Sequence, residues 1–313
     1  MENYIAFDTI KSLALKAGFQ DCGAIEIKKF DISFLKNWID RGYNADMQYL
    51  ERYIDIRENP SLLLENSKSV ISFIVSYNIE LPDNKDDNIL KFASYSLFND
   101  YHKAIKQALY ELIHCIQDIY PNFKAIAFVD SAPILEKVIA KEAGLGWIGK
   151  NSLLINKTFG SKILIGEIIT NFSTDYSNEL EKDLCEDCNN CINSCPNKSI
   201  QKDCTINSNL CNSYQTIENK NNIPENINLK NYIFGCDICI NSCPWNSKTK
   251  IKESKILSLN SKTIELLERI NDNQIEKSLF NQAKKNTPLE RIKFDKLLSN
   301  IEKAKTNTAN SNL

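Results

Sequence analysis

Nine of the chain's eleven cysteines fall between residues 185 and 243, and their spacing restricts the fold more than any other feature. Residues 185–196 read CEDCNNCINSCP, a Cys-x2-Cys-x2-Cys-x3-Cys-Pro run. Two-residue spacing lets one tight turn present three thiolates to a single iron–sulfur cube, and the fourth cysteine points to a different cluster. A second run, Cys211…Cys236-x2-Cys239-x3-Cys243-Pro244, has the same ending and one distant member. Two-cluster logic joins Cys185, Cys188 and Cys191 with Cys243, and Cys211, Cys236 and Cys239 with Cys195. Two [4Fe–4S] clusters are therefore expected. Each Cys-Pro cysteine crosses to the other run's cluster, so neither half folds without its partner. Structural zinc uses paired Cys-x2-Cys knuckles, not three cysteines at successive two-residue spacing plus a Cys-Pro, twice. Cys204 is left over and reads as a spare thiol, unless it replaces Cys211. Cys22 and Cys115 stand alone and read as buried, inert thiols.

So many cysteines without a secretory context point to metal ligation in a reducing compartment. The N-terminus, MENYIAFDTIKSLALKAGF, is an amphipathic helical pattern, not a signal peptide, and no twin-arginine pair precedes the fold. No stretch approaches the roughly 18 consecutive apolar residues of a membrane span. A cytoplasmic protein with no membrane partner is expected. With 313 residues, 42% of them hydrophobic, there is enough apolar material for one large or two modest cores. A net charge of −2 gives no global signature for nucleic acid, though a local basic patch stays open.

Apolar periodicity predicts helices over 3–17, closed by Gly18, and from a cap at Asp31 to Asp40. Further helices are expected at 47–54, at 100–120 before Pro121, and at 133–143 with Pro133 near its first turn. Strands are expected at 22–27, 69–77, 124–129, 152–155 and 162–170. The fold class is α+β: an α/β domain over residues 1–175, a ferredoxin-like two-cluster domain over 176–250, and a helical extension over 251–313 with a frayed tail from 303. Short helices are expected at 264–270 and 275–283. Two adjacent clusters form an electron wire and not a reaction centre, so the first domain should hold a second redox site.

Residues 128–151, FVDSAPILEKVIAKEAGLGWIGKN, together with the dicluster run and GCDICINSCPWN at 235–246, resemble epoxyqueuosine reductases, the family that makes the last step of queuosine synthesis on tRNA. Residues 42–73, NDYHKAI at 99–105 and TPLERIKFDKLLSNI at 287–301 extend the resemblance over nearly the whole chain. It implies a base-off cobalamin between the two domains, fed by low-potential electrons through both clusters. It implies removal of the epoxide oxygen of epoxyqueuosine in a tRNA anticodon loop, leaving an alkene and water. An external low-potential electron donor is implied, and a monomer is expected. The family's longer members carry HEAT-like repeats that this chain lacks.

Asp130 matches the family's catalytic acid in VDSAP. A carboxyl flanked by Phe128, Val129, Ala132 and Pro133 is expected to have a raised pKa and to hold its proton near neutrality. Spacing alone would instead make Asp130 the N-cap of a helix starting near Pro133. Arg57, Tyr95, Asn151, Tyr214 and Asp237 match family positions for cobalamin contact; Arg57 as a surface ion pair, and Tyr95 and Tyr214 as ordinary core, are the competing readings. The resemblance implies no histidine on cobalt: the Asp-x-His-x-x-Gly pattern of some cobalamin enzymes fails at Ile105. His102 reads as a pocket or structural residue and His114 as a surface or core one. Gly144, Gly146 and Gly149 follow a helix, which is the wrong order for a dinucleotide loop. They read as a turn letting backbone approach a flat cofactor, with Trp147 packed on it or in the core.

The Lys248–Lys262 stretch is a candidate phosphate patch, although a charge run is more often a solvated face. Asn99 and the Asn231-Tyr232-Ile233-Phe234 stretch depart from the family, which carries basic residues there, so phosphate contacts at these points are expected to be lost. Two other functions compete: a reductive dehalogenase-like reductase of a small molecule, and a non-catalytic electron carrier.

Overall fold

The structure, a computed structural model, describes residues 3–79, 89–176, 179–247 and 253–311. Four strands form the main sheet in the order Asp21–Glu26, Ser69–Ser76, Ile163–Thr170, Ala125–Phe128. Every pairing is antiparallel. This corrects the α/β expectation for the first domain: strands and helices alternate along the chain, but the connections bring neighbouring strands back in opposite directions. The fold is a mixed helix–sheet one.

Ser69–Ser76 is buried along its whole length. Ile71, Phe73 and Val75 pack into one core with the Phe7–Ala17 and Tyr101–Ile119 helices. Val70 and Ile74 pack on the other face with Ile139 and Ala140 of the Glu136–Glu142 helix. Each large apolar side chain so buried contributes about 1.5–3 kcal/mol. Two covered faces explain why SVISFIVS reads as a continuous apolar run and not an alternating one. Gly166 sets how closely the Tyr101–Ile119 helix lies: a Cβ there would stand 2.8 Å from Ile105 Cγ2 and 3.0 Å from Leu109 Cδ1. That close approach fixes the helix's first turn, which carries Tyr101 and His102.

Most elements agree with periodicity, but several boundaries differ; the helix expected from residue 3 begins at Phe7, because Tyr4 bridges to Ser173. The helix expected from Pro133 begins at Glu136, because residues 130–135 form a tight turn. The helix expected at 47–54 is a 3-10 turn at Gln48–Glu51 and a separate short helix at Ile54–Glu58. The tail expected to fray from 303 belongs to a helix, Phe294–Ser311, held by buried Leu297, Ile301 and Ala304.

The C-terminal helices share a second core with the cysteine-rich part. Leu266, Ile270, Phe280, Leu297 and Ile301 pack with Ile217, Ile233 and Phe234, and with Leu90 and Phe92. The short strand Tyr232–Phe234 pairs in parallel with Lys91–Phe92. The family-divergent positions at 232–234 are thus core residues here, while Asn231 Nδ2 donates to Ile89 O at 2.9 Å. Asn99 donates from Nδ2 to Ser258 Oγ at 2.7 Å. Lys248, Lys250 and Lys252 lie outside the described residues, as does the expected boundary at 250. No helix among the described residues is long and apolar enough to cross a membrane.

Candidate active site and cluster-binding cysteines

All eleven cysteines are free thiols. Cys22 is buried, which pushes its thiol up to about 12 and makes it inert. Cys115 is exposed on its helix, against expectation.

The other thiols fall into two electrostatic neighbourhoods. Cys191 feels Cys185, Cys243 and Cys188, and Cys243 feels Cys185 and Cys188. Cys236 feels Cys211 and Cys195, and Cys239 feels Cys236, Cys211 and Cys195. This is the crossed grouping expected from spacing. Cys204 neighbours Cys185 and not the second set, so it does not stand in for Cys211. Burial, and to a lesser degree mutual repulsion, raise the pKa values of Cys191, Cys211, Cys236, Cys239 and Cys243, and a bound metal's positive charge is what holds such groups as thiolates. Among the described residues no three His, Cys, Asp or Glu side chains are placed to hold a single metal ion.

The first set surrounds a small cavity of about 40 Å³ lined by Cys185, Cys188, Cys191 and Cys243. Trp147 roofs it. The indole is 1% exposed, stands 5.0 Å from Trp245 ring to ring, and donates from Nε1 to Cys185 Sγ at 3.4 Å. The glycine-rich turn therefore serves this cysteine set and not a flat cofactor in the large pocket. Gly146 lets its backbone press on the facing Leu154–Ile155 strand; a Cβ there would stand 2.1 Å from Ile155 O. Asn246, just after the Cys243-Pro244 pair, accepts Ser161 N–H at 2.7 Å and donates to Ile240 O at 2.7 Å, fixing the run to the first half of the chain.

The second set adjoins a larger cavity of about 300 Å³, with Cys211 in its wall. Its lining comes from distant segments: Met47 and Tyr49, Tyr95 to His102, Asp130, Ser208 to Glu218, and Pro288 with Arg291. The segments are stitched together by Tyr214, which donates to Asp46 Oδ2 at 2.7 Å, and by Trp38, which donates to Ile206 O at 2.7 Å.

Asp130 sits two residues past the Ala125–Phe128 strand with φ at +56°, a left-handed conformation uncommon for a non-glycine residue. Its side chain is 56% exposed to the cavity. Oδ2 accepts the Tyr101 hydroxyl at 2.8 Å and faces His102 Nε2 at 3.2 Å. His102 Nδ1 lies 2.9 Å from Asp100 Oδ1, and the two rings of Tyr101 and His102 stack at 4.0 Å. The His102 hydrogen bond holds the Asp130 carboxyl below the usual carboxylate range, outweighing desolvation, and the Tyr101 bond adds to this. Burial alone would lower the His102 pKa, but bonds to Asp130 and Asp100 raise it instead. The expected raised pKa for Asp130 is thus corrected: its apolar sequence neighbours do not surround the carboxyl, and the proton belongs to the imidazole. Nor does Asp130 cap a helix.

Of the other expected residues, Tyr95 and Tyr214 reach the large cavity. Tyr95 meets Tyr101 edge-on at 6.1 Å, and burial with the neighbouring Asp237 raises its phenol pKa. Burial and Asp46 push Tyr214 up to about 12. Asp237 is 3% exposed; Oδ2 accepts Ser94 N–H at 2.7 Å and Ser94 Oγ–H at 2.6 Å, while Oδ1 has no partner. Arg57 is half-buried with Nε unpartnered. Asn151 lies beside the first cysteine set, away from the large cavity, with Nδ2 unpartnered. Tyr101, Tyr49, Glu218 and Arg291 are among the pocket residues that carried no assigned role in the sequence. The last two form an ion pair. The DYH tripeptide held the only available signal for Tyr101, since its partner lies 29 residues on.

Comparison with known proteins agrees with this arrangement. Residues 57–131 match the family profile "Epoxyqueuosine reductase QueG, DUF1730", and residues 184–246 match "4Fe-4S double cluster binding domain". Epoxyqueuosine reductase from Cyclobacterium marinum is 35% identical over 93% of this chain and 94% of its own length. That from Pseudomonas aeruginosa is 35% identical over 76% of this chain and 68% of its own. The solved epoxyqueuosine reductase from Streptococcus thermophilus superposes with a TM-score of 0.80 at 27% identity, covering 96% of this chain and 81% of that one. A crystal structure of epoxyqueuosine reductase with an epoxyqueuosine-modified tRNA-Tyr stem loop shares the fold, with a TM-score of 0.80 at 21% identity over 98% of this chain and 82% of that one. With its two crossed cysteine sets joined to a pocket that presents Asp130, the chain belongs to the epoxyqueuosine reductase family.

Proposed function

We propose that this chain reduces the epoxide of epoxyqueuosine in a tRNA anticodon loop to the alkene of queuosine, taking up two electrons and two protons and releasing water. The observation that carries the reading is the shared cavity: Asp130 and Cys211 line the same space, so a proton source and the inner end of an electron path meet there. The eight crossed cysteines hold the two [4Fe–4S] clusters, the first near the surface and the second against the pocket.

The pocket's residues fit a base-off cobalamin. Behind the pocket wall, Asp237 Oδ1 next to Tyr95 and Arg57 Nε next to Tyr49 are buried polar atoms without protein partners, of the kind that corrin amides or a phosphate satisfy. Tyr95 and Tyr214 supply aromatic wall. Neither histidine is free for cobalt: His102 is tied between two carboxylates and His114 lies on an exposed helix face beside Gln117. When bound, that group supplies the low-potential reduction of the epoxide carbon. Asp130, His102 and Tyr101 supply the protons. His102, as imidazolium, stores one 3.2 Å from Asp130 Oδ2, and Asp130 passes it to the departing oxygen. Asn151 serves the first cluster's surroundings. The divisions at 175 and 250 separate the part carrying Asp130, the part carrying the cluster cysteines and the C-terminal helical part, and each contributes to the pocket. The protein acts in the cytoplasm as a monomer, with an external low-potential donor.

The test is nucleoside analysis of tRNA from a deletion strain. Epoxyqueuosine should accumulate, and wild type should restore queuosine while Asp130→Asn does not. Normal queuosine in the deletion strain defeats the proposal.

A further inference from the structure

Glu136 begins the helix behind the pocket and takes no part in delivering protons to the departing oxygen. Its side chain turns back across residues 131–135, and Oε1 accepts the backbone N–H of Asp130 at 2.5 Å. Asp130 is the residue whose backbone most needs such a hold, because a left-handed non-glycine residue persists only where its surroundings over-determine it. The next peptide is pinned as well, with Ser131 N–H on Val129 O at 2.5 Å. The Glu136–Glu142 helix has no other side-chain cap.

The charged groups around Glu136 explain why it holds this place. Asp130 and His102 face it from the pocket, and Arg291 lies beyond Asp130, paired with Glu218. Lys137 follows on its own helix, but its Nζ turns to Ser152 O at 2.7 Å. From the sheet below comes Glu167, 0% exposed and without a hydrogen-bond partner for either oxygen. Three carboxyls thus stand in file from pocket to core, with His102 and Arg291 at the outer end and Lys137 beside Glu136. Desolvation, then the Asp130 charge, raise the Glu136 pKa, while the hydrogen bond from the Asp130 backbone pulls it back.

We propose that Glu136 is a positioning residue for the reduction: its carboxyl clamps the Asp130 backbone so that the Asp130 carboxylate meets Tyr101 and His102. This rests on the role given to Asp130 above.

Two variants of the full, cluster-loaded chain test it. Glu136→Gln keeps a neutral carbonyl acceptor, and Glu136→Ala removes it. Hydrogen exchange of the Asp130 amide should quicken about tenfold or more in Glu136→Ala and stay within about twofold of wild type in Glu136→Gln. At pH 7, kcat on epoxyqueuosine-tRNA should fall about 10- to 100-fold in Glu136→Ala with KM nearly unchanged. Glu136→Gln, which keeps the acceptor, should hold kcat within about fivefold of wild type. Equal amide exchange in wild type and Glu136→Ala overturns the clamp, whichever way turnover falls. Faster exchange with unchanged kcat overturns the positioning role. Wild type without turnover, but with the exchange contrast intact, defeats the functional reading and leaves the clamp standing.

Discussion

His102 Nε2 stands 3.2 Å from Asp130 Oδ2, while Nδ1 of the same ring stands 2.9 Å from Asp100 Oδ1. One imidazole is bracketed by two carboxylates, one from its own helix N-cap and one from the loop after a sheet strand. The ring is therefore at once a store for a proton and a strut between secondary structures.

The bracket fixes the sign of a pH effect on stability. The His102 pKa is raised by the fold, so its contribution is present below about pH 6.5 and is lost as pH rises through the folded value. The Asp130 pKa is lowered, so its contribution is present above about pH 4 and is lost as pH falls through the depressed value. Both operate together from about pH 4 to 6.5. Thermal unfolding of wild type and His102→Ala should differ most in that window and converge above it. A difference that stays constant from about pH 4 to 9 is incompatible with the ion pair.

The crossed cysteine sets predict where damage appears. Cys243 shares its surroundings with Cys185, Cys188 and Cys191, although it ends the other run. Cys243→Ala should therefore remove the cluster held by residues 185–191, and Cys195→Ala the one held by Cys211, Cys236 and Cys239. Each variant should keep about half of the wild-type iron, with one cluster signal remaining in the electron paramagnetic resonance of the reduced protein. The two surviving signals should differ from each other. A Cys243→Ala spectrum that matches Cys236→Ala instead of Cys185→Ala would mean that the thiols are grouped by run and not by crossover.

The cysteine grouping is legible in the sequence because iron–sulfur ligation is written in local spacing. The helices and strands follow from periodicity, since both faces of Ser69–Ser76 are covered and the pattern there is unambiguous. Strand direction is not legible, because alternating helices and strands are compatible with either sense once connections are long. The Asp130 environment is hidden for a related reason. Its sequence neighbours are apolar, but Tyr101 and His102 come from a helix 29 and 28 residues earlier. The glycine-rich turn points in the sequence to the wrong cofactor, because nothing local to residues 144–149 says that Cys185 lies against Trp147.

Asp237 separates a structural role from a cofactor role. Its Oδ2 satisfies both Ser94 donors, so Asp237→Ala leaves them buried and unpaired, at a cost of about 1–3 kcal/mol. Asp237→Asn keeps an acceptor for Ser94 and puts an amide where Oδ1 was unpartnered. Denaturant unfolding of the chain without corrin should register a loss for Ala and a smaller one for Asn. Corrin titration should then weaken in both variants. If stability alone changes and corrin binding does not, Asp237 only supports Ser94.

Gly146 tests whether the Trp147 hairpin matters to the first cluster. Alanine there would place Cβ 2.1 Å from Ile155 O, a backbone atom that cannot rotate away, and φ at +148° adds strain. The Trp147–Ile148 and Leu154–Ile155 strands must then part, lifting the indole from Cys185 Sγ. Gly42 is the matched control, with φ at +65° but nothing within 4 Å of an added Cβ. Gly42→Ala should cost about 1–2 kcal/mol from backbone strain alone. Gly146→Ala adds overpacking of about 1–3 kcal/mol and removes the N–H···S donor from one thiolate. Its first-set cluster should therefore shift in reduction potential or be lost on purification, while the second-set cluster keeps its signal. A Gly146→Ala protein no less stable than Gly42→Ala, with both cluster signals unchanged, would detach the hairpin from cluster binding.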